Sequence, residues 1–397
     1  MVLSNPIRSV YAERHNNVMC RSAYSCVNGY RPTNEDAHAI IRSPDNVVFN
    51  GIFDGHAGDL CSNHAAEHLP AKLLRNKNIS SDEIKSACLE LDREFIELNK
   101  EGGSTATFSH IKKNESDGRY WVSIGNLGDS MSFVLDKQKG YQRKFITTDH
   151  KPSLEAEAER IVRLGGHISI GRVDGSLSVS RAFGDSNFKG NKEDQMENKV
   201  IAYPDVNKFL CDEGDIVIHI CDGITESNFS SDQVCQYIVN NLEKYQDLAI
   251  ISSLVCLEAL MRGSKDNLSC MITVLGDTPN TFSNKELILG KIDDEFSERY
   301  MKAYSSFSQL IGMNLENTLN KRLEILNKTQ SAIREMNLEN ILLKHPIMKI
   351  GSKEEIIAEK ERIAIIAQRE RIILTKEKEP TPQDNIQYTD VSFFCCS

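Results

Sequence analysis

The sequence predicts an α+β fold, because runs of β-forming residues alternate along the chain with stretches of helical periodicity. Two of these runs share one design: Val47–Phe53 ends on Asp54 followed by glycine, and Asp215–Cys221 ends on Asp222 followed by glycine. Aromatic and β-branched residues favour strands, and Asp-Gly pairs favour turns. Each of these strands is therefore expected to bring an aspartate to the rim of a sheet.

Amphipathic helices are predicted between the strands. Ser80–Lys100 begins with a capping-box pattern and then repeats apolar residues at helical spacing. The same periodicity predicts helices over Asp59–Leu74, Ser153–Leu164, Ser230–Leu242 and Asp247–Arg262. Their apolar stripes are typical of helices that pack on a core.

Further strands are predicted at Tyr120–Ile124, Met131–Leu135 and Leu268–Leu275. The first two are separated by Gly125–Ser130, which is interpreted as a bulge or a hairpin turn between neighbouring strands. This turn carries Asp129.

Composition and charge limit the kind of protein. The chain has 397 residues, of which 40% are apolar and 26% are charged, as in soluble globular proteins. No apolar run is long enough to cross a bilayer, and the N-terminus lacks the apolar core of a signal peptide. Eleven scattered cysteines without Cys-x-x-Cys pairs argue for reduced thiols, and so for the cytoplasm or the nucleus. A formal charge of −10 argues against nucleic acid as a partner.

The character of the chain changes near its residue 278. Residues 1–278 are interpreted as one domain, and residues 279–397 as a helical C-terminal extension with a flexible tail. Helices are predicted over Lys285–Lys344 and Lys353–Glu379. One face of the first helix collects four apolar residues: Leu319, Leu323, Leu326 and Ile333. The extension is expected to bind a partner or the first domain, as an arm, an autoinhibitor or an oligomerisation segment.

A set of acids lies in short glycine-rich turns, most of them next to predicted strands. The set is Glu35, Asp36, Asp54, Asp129, Asp185, Asp222 and Asp266. Carboxylates that converge repel one another unless cations neutralise them. Oxygen ligands without a histidine or cysteine cluster point to Mg2+ or Mn2+ and argue against zinc.

Eight blocks of the sequence together resemble one family. In order, they are RPTNEDAH, GIFDGHAG, GGSTATF, GNLGDS, TTDHKP, RVDGSLSVSRAFGD, ICDGITE and GSKDNLSC. Over Arg31–Leu275 the chain resembles the metal-dependent protein phosphatases of type 2C. The resemblance implies a sandwich of two antiparallel β-sheets flanked by helices. It also implies hydrolysis of phosphoserine and phosphothreonine monoesters in protein substrates, by a water that bridges two metal ions.

The resemblance assigns metal ligands. Asp54 resembles the carboxylate that bridges two Mg2+ or Mn2+ ions. Asp222 and Asp266 would complete one ion site, and the carbonyl group of Gly55 would contribute to the other.

Further acids resemble supporting groups of the same family. Glu35 and Asp36 look like residues that hold metal-bound water. Asp129 and Asp222, with the residue four positions later, resemble a looser third ion site. That residue is Glu226, where the family more often has aspartate, so a third ion has weaker support than the first two.

Two residues are expected to act on the phosphate. Arg31 can grip it through a planar guanidinium fork, a geometry that lysine cannot match. His56 resembles the family's general acid, which protonates the departing serine or threonine oxygen.

Two alternatives to a metal-dependent phosphatase are a cysteine phosphatase and an inactive relative. Cys256 and Arg262 have the spacing of a cysteine phosphatase, but they lie in a helical run without a glycine-rich phosphate loop. A catalytically inactive relative that keeps the fold as a scaffold or a regulatory binding module remains the alternative. Such a protein would be expected to lose metal carboxylates, and this chain keeps them.

The C-terminus ends in two cysteines that leave a membrane hypothesis open. Cys395 and Cys396 follow two phenylalanines and could carry a lipid that gives weak membrane association. A prenylation box needs cysteine where Phe394 stands, and Val2 excludes N-myristoylation.

Overall fold

Two antiparallel β-sheets packed face to face form the centre of the molecule. The structure is a computed structural model that describes residues 2–191, 193–276, 282–290, 297–318 and 320–321. In chain order its strands are β1 (Ile7–Asn16), β2 (Cys20–Gly29), β3 (Ala37–Arg42), β4 (Val47–Phe53), β5 (Gly55–His56), β6 (Gly103–Ser104), β7 (Ala106–Lys113), β8 (Tyr120–Leu127), β9 (Met131–Asp136), β10 (Gln142–Ile146), β11 (Ile168–Ser169), β12 (Arg172–Val173), β13 (Phe183–Gly184), β14 (Asp205–Cys211), β15 (Ile216–Ile220), β16 (Leu268–Leu275) and β17 (Phe282–Ile288). Its α-helices are α1 (Leu60–Leu73), α2 (Ser81–Glu97), α3 (Glu155–Arg163), α4 (Ser231–Leu242), α5 (Leu248–Met261) and α6 (Glu298–Ser308).

The large sheet has seven strands in the order β10-β9-β15-β16-β2-β1-β17, and the small sheet has five in the order β14-β8-β7-β4-β3. Helices α1 and α2 cover the small sheet, and α4 and α5 cover the large one. The four layers confirm the predicted α+β sandwich flanked by helices. A three-stranded sheet, β13-β6-β5, and the hairpin β11-β12 complete the strand pairing of the described residues.

Polar side chains join the two sheets as well as apolar ones. Asn50 of the small sheet donates from Nδ2 to Ser22 Oγ at 3.1 Å and to Thr273 Oγ1 at 2.9 Å, both in the large sheet. Ser109 Oγ lies 3.0 Å from His219 Nε2 across the same interface. Burial lowers the pKa of His219 to about 3, so its ring is neutral there. These directional bonds fix how the sheets align.

Two of the predicted helix starts are confirmed in detail. The Ser80 side chain accepts a hydrogen bond from the backbone of Glu83, whose side chain returns one to the backbone of Ser80. Ser230 and Gln233 form the same capping box at the start of α4. Each box satisfies backbone N–H groups that have no partner inside the helix.

The hairpin predicted at Gly125–Ser130 is wrong. Strand β8 belongs to the small sheet and β9 to the large sheet, so this segment crosses from one sheet to the other. A short glycine-containing connection has the same sequence pattern whether the two strands it joins pair with each other or lie in different sheets. The crossing is fixed by contacts remote in sequence, such as that between Ser130 Oγ and Thr105 Oγ1 at 2.7 Å. It places Asp129 at the end of the sandwich.

The helix predicted from Lys285 is wrong at its start, because Phe282–Ile288 forms β17 and pairs antiparallel with β1. An unpaired β1 would leave a row of open backbone groups at the sheet edge, and β17 satisfies them. Helix α6 then places Tyr300, Tyr304 and Phe307 in the core beside the large sheet. Strand β17 is therefore part of the large sheet, and helix α6 packs against the core of that sheet.

The remaining C-terminal predictions lie outside the described residues. They comprise the apolar face formed by Leu319, Leu323, Leu326 and Ile333, the helix Lys353–Glu379, and the cysteines Cys395 and Cys396. In the part of the chain that is described, no helix combines the length and the apolarity needed to cross a bilayer. The nine cysteines of that part are buried free thiols.

We predict that Phe307→Ala lowers the free energy of unfolding by about 3 to 5 kcal/mol, because it empties a buried aromatic site. Urea denaturation followed by circular dichroism measures this change. Lys302 is exposed on the same helix, and Lys302→Ala is expected to stay within about 0.5 kcal/mol of the parent protein. Equally small effects of both substitutions would show that α6 does not belong to the core.

Candidate metal centre

Five of the predicted acids meet at one end of the sandwich. Four other acids lie close enough to Asp54 for their charges to interact with it: Asp36, Asp129, Asp222 and Asp266. Both sheets contribute: Asp36 and Asp54 flank strands of the small sheet, whereas Asp222 and Asp266 flank strands of the large sheet. The centre therefore exists only where the ends of the two sheets face each other.

The tightest part of the group combines two carboxylates with a thiol. One oxygen each of Asp36 and Asp54 and the sulfur of Cys221 all lie within 4.8 Å of one another. Asp36 is 1% exposed and accepts a hydrogen bond from Ser269 Oγ at 2.6 Å. Asp54 is more open to solvent. A cation could thus enter from one side and meet donors already in place.

Three acids of this group, Asp36, Asp54 and Asp222, have raised pKa values. Burial raises the pKa of Asp54 well above its usual value, and the four neighbouring carboxylates add to the effect. The pKa of Asp222 is raised well above its usual value too, by burial and then by Asp129 and Asp266. Burial is also the main reason why the pKa of Asp36 rises to about 7. Among the described residues, no lysine or arginine forms an ion pair with Asp36, Asp54 or Asp222. The donor set therefore fits divalent cations.

Two glycines allow the close approach that assembles the centre. A Cβ atom on Gly55 would lie 2.3 Å from the carbonyl oxygen of Glu35, and one on Gly223 would lie 2.1 Å from that of Asn267. Gly55 instead donates its N–H to the Glu35 carbonyl at 3.1 Å. Both Asp-Gly pairs are thus required by backbone contact with a neighbouring loop, in addition to any turn preference.

The backbone of Glu35 is held between two parts of the fold. Its N–H donates to Asn267 Oδ1 at 2.9 Å, and its carbonyl also accepts from Ser62 Oγ at 2.6 Å, next to the start of α1. Through these bonds the loop that carries Glu35 and Asp36 is tied to helix α1 and to the turn before β16.

Arg31 lies at the rim of the centre. Its Nη2 is 2.6 Å from Asp266 Oδ2, and 47% of its side chain is exposed. The guanidinium is thus anchored on a predicted metal ligand while part of it faces solvent. This position leaves donors available to an arriving anion.

His56 is paired with an acid to which the sequence assigned no separate role. Its Nε2 lies 2.8 Å from Oδ2 of Asp185, a residue with a left-handed φ of 53°. Burial alone would lower the pKa of His56, but the hydrogen bond and the charge of Asp185 outweigh it and raise the pKa. The pair therefore favours a protonated imidazole beside the carboxylates.

Asp129 has a cationic neighbour that the sequence analysis did not select. The ammonium group of Lys151 contacts Asp129 Oδ2 directly. Asp149 lies near this pair, and burial together with the charge of Asp129 raises its pKa to about 6. Lys151 and Asp149 both belong to the TTDHKP block. That block contributes to the resemblance to the family, but its sequence does not predict a contact between Lys151 and Asp129.

Glu226 faces the turn before β16. Its Oε1 accepts from Ser264 Oγ at 2.8 Å and from the backbone N–H of Lys265 at 3.0 Å. Both acids named for a third ion site besides Asp222 therefore have protein partners: Glu226 in this turn and Asp129 at Lys151.

Proteins of a known family resemble this chain in sequence. A profile described as Protein phosphatase 2C matches residues 21–268. The probable protein phosphatase 2C 60 of Arabidopsis thaliana is 30% identical over 68% of this chain and 90% of its own length. Protein phosphatase 1B of Mus musculus is 30% identical over 65% of this chain and 71% of its own length.

Solved structures resemble it as well. A phosphatase from a pathogenic strain of Toxoplasma gondii has 28% sequence identity and a TM-score of 0.65, covering 70% of this chain and all of that one. A C. elegans sex determining protein has 28% identity and a TM-score of 0.55, covering 63% of this chain and 64% of that one. Because the profile spans more than half of the chain and the fold agrees with its relatives, the chain belongs to the protein phosphatase 2C family.

Proposed function

We propose that this protein phosphatase hydrolyses phosphoserine and phosphothreonine monoesters of proteins with two Mg2+ or Mn2+ ions. The observation that carries the proposal is the close group of carboxylates Asp36, Asp54 and Asp222, which has no lysine or arginine ion pair among the described residues. An inactive scaffold is not favoured, since it would keep this electrostatic cost without a use for it.

We assign the ions to the oxygen donors of the centre. Asp54 would bridge the two ions, with Asp222 and Asp266 on one and the Gly55 carbonyl on the other. Divalent ions held there supply positive charge for the phosphoryl group and acidify the attacking water. Glu35 and Asp36 would orient water around them. A third ion would have to compete with Lys151 for Asp129.

Arg31 binds the substrate phosphate in this proposal. Its guanidinium has five N–H donors, and the contact with Asp266 uses only part of them. A planar fork can give two parallel bonds to phosphate oxygens, which fixes the orientation of the phosphoryl group.

His56 protonates the leaving oxygen of serine or threonine. When Nε2–H is donated to Asp185, the proton on Nδ1 is the one available for transfer. Asp185 stabilises the imidazolium and fixes the ring, so it acts as a positioning residue. Serine and threonine oxygens need this proton because an unprotonated alkoxide is a poor leaving group, whereas the neutral alcohol leaves readily.

We propose phosphorylated proteins of signalling pathways as substrates. The cysteine pattern supports a reducing compartment, for which we propose the cytoplasm or the nucleus.

Metal-dependent turnover of a phosphopeptide tests the proposed activity directly. Purified full-length protein is expected to release phosphate from a phosphothreonine peptide with Mn2+ or Mg2+, and to stop when a chelator is added. Asp54→Asn should lower kcat by at least about a hundredfold, because it removes the bridging carboxylate. Asp45→Asn, on an exposed turn, is the control and should leave turnover unchanged. A folded parent protein without turnover under either metal would contradict the proposal.

A second prediction separates proton donation from phosphate binding. His56→Gln is expected to lower kcat for a phosphothreonine peptide by about 10² to 10⁴, and far less for 4-nitrophenyl phosphate, whose leaving group needs no proton. Asp185→Asn should show the same preference, with the high-pH limb of its kcat profile moved to lower pH, because the pKa of His56 is no longer raised. Asp174→Asn breaks a comparable pair with the exposed His167 and serves as control. Equal losses on both substrates would exclude a general-acid role.

A third prediction links pH, metal and stability. Since the pKa of Asp54 is raised in the folded protein, the folded state keeps a proton that the unfolded chain releases above about pH 4, and the acid destabilises the fold as pH rises. Without metal, Asp54→Asn should therefore be more stable than the parent protein at pH 8, and the difference should shrink toward pH 5. With Mg2+ at 100 times its Kd the parent should gain about 2.7 kcal/mol and the variant much less. Thermal unfolding across pH, with chelator or Mg2+, measures both, and a variant less stable without metal would contradict the prediction.

A further inference from the structure

Two turns beside the metal centre are fixed to each other. One comprises residues 28–33 at the end of β2, and the other comprises residues 264–267 before β16. Gly29 has a left-handed φ of 64°, and a Cβ atom on it would lie 2.4 Å from the carbonyl oxygen of Asp266. Asn267 Nδ2 donates to two carbonyl groups of the first turn, at 3.0 Å each. The position of each turn is therefore set by the other.

Side chains of the two turns form two adjacent pairs. In the first pair Arg31 binds Asp266. One residue earlier on each turn, Lys265 Nζ lies 3.6 Å from the centroid of the Tyr30 ring, which is within the range of a cation–π contact. The ring is partly buried and packs against the core beside the large sheet, so it is a fixed support for the lysine. The second pair thus holds an ammonium group beside the pair that holds the guanidinium.

The charge of Lys265 is available to a ligand. Lys265 is exposed, and its ammonium group forms no ion pair within the described part of the chain. An aromatic face attracts a cation but brings no negative charge to neutralise it. A lysine without support loses side-chain entropy when a ligand orders it, whereas the contact with Tyr30 already restricts this one. The second pair is therefore suited to bind an anionic group that arrives next to Arg31.

We propose that Lys265, supported by Tyr30, forms a subsite for the carboxylate of an acidic residue close to the phosphoserine or phosphothreonine of the substrate. Neighbouring Cα atoms of a peptide are 3.8 Å apart, so a nearby side chain comes within reach of Lys265 when the phosphoryl group is held at Arg31. The protein would then prefer phosphorylated segments that carry aspartate or glutamate. The effect on turnover rests on the proposed phosphatase function, whereas the binding of the carboxylate does not.

Pairs of phosphothreonine peptides test the subsite in the full-length protein. The members of a pair differ only in glutamate or glutamine at one position, which is moved from two residues before the phosphothreonine to two residues after it. At one position or more, glutamate should raise kcat/KM about two- to fivefold, as an exposed ion pair does, mainly through a lower KM. High salt should reduce this ratio. Equal kcat/KM values at every position overturn the subsite and leave the phosphatase function standing.

Variants locate the preference at the second pair. The ratio between the two peptides should fall to about one in Lys265→Gln and persist in Lys265→Arg, which keeps the charge. Tyr30→Phe should retain the ratio because the ring remains, and Tyr30→Leu should reduce it. Lys244 is an exposed lysine beyond the end of α4, and Lys244→Gln should keep the ratio. Each variant is judged by its own two peptides, so a general loss of activity does not affect the result. An unchanged ratio in Lys265→Gln overturns the proposal.

A non-hydrolysable ligand makes the test independent of turnover. The same peptide pairs, with a phosphonate in place of the phosphate and a fluorescent label, are titrated with protein and Mg2+ while anisotropy is recorded. The glutamate peptide should bind about two- to fivefold more tightly than its partner to the parent protein, and equally to Lys265→Gln. Equal binding of both peptides to the parent protein overturns the subsite. Tighter binding of the glutamate peptide by a protein without turnover supports the subsite and overturns the proposed hydrolysis instead.

Discussion

The repulsion among buried carboxylates at the end of the sandwich is the constraint on which the site depends. Asp54 and Asp222 are held close to further acids in a setting that raises the pKa of both. Such a group is costly to assemble unless cations neutralise it. The fold bears this cost through backbone contacts that side-chain movement cannot relieve, including the approach of Gly55 to Glu35. The same contacts keep the donors ready for the ions.

Much of the centre could be predicted because its signals are local. Asp54 and Asp222 each follow a β-forming run and precede glycine, and the structure brings both to the same place. The four-layer architecture follows from the resemblance over eight blocks. The capping box at Ser80 could be predicted too, because every atom it needs lies within four residues.

What sequence reasoning missed depends on contacts between distant parts of the chain. The partners of β8 and β9 are strands elsewhere in the sequence, so the crossing at Asp129 could not be told from a hairpin. Strand β17 forms because β1 has an open edge, a fact invisible in the sequence of residues 282–288. Cys221 lies beside Asp36 and Asp54 in the fold, and no motif in the sequence signals that proximity.

The buried hydrogen bonds between the sheets determine how precisely the carboxylates at the end of the sandwich are positioned. Asp54 follows a strand of the small sheet and Asp222 follows a strand of the large one, so any sliding of one sheet over the other would move these two carboxylates apart. A slip of one residue displaces a strand by about 3.3 Å, whereas metal–ligand distances tolerate about 0.2 Å. Bonds from Asn50 to Ser22 and Thr273 forbid such a slip while lying inside the sandwich, away from the chemistry. The alignment of the carboxylates from the two sheets thus depends on hydrogen bonds in the interior of the protein, at a distance from the carboxylates themselves.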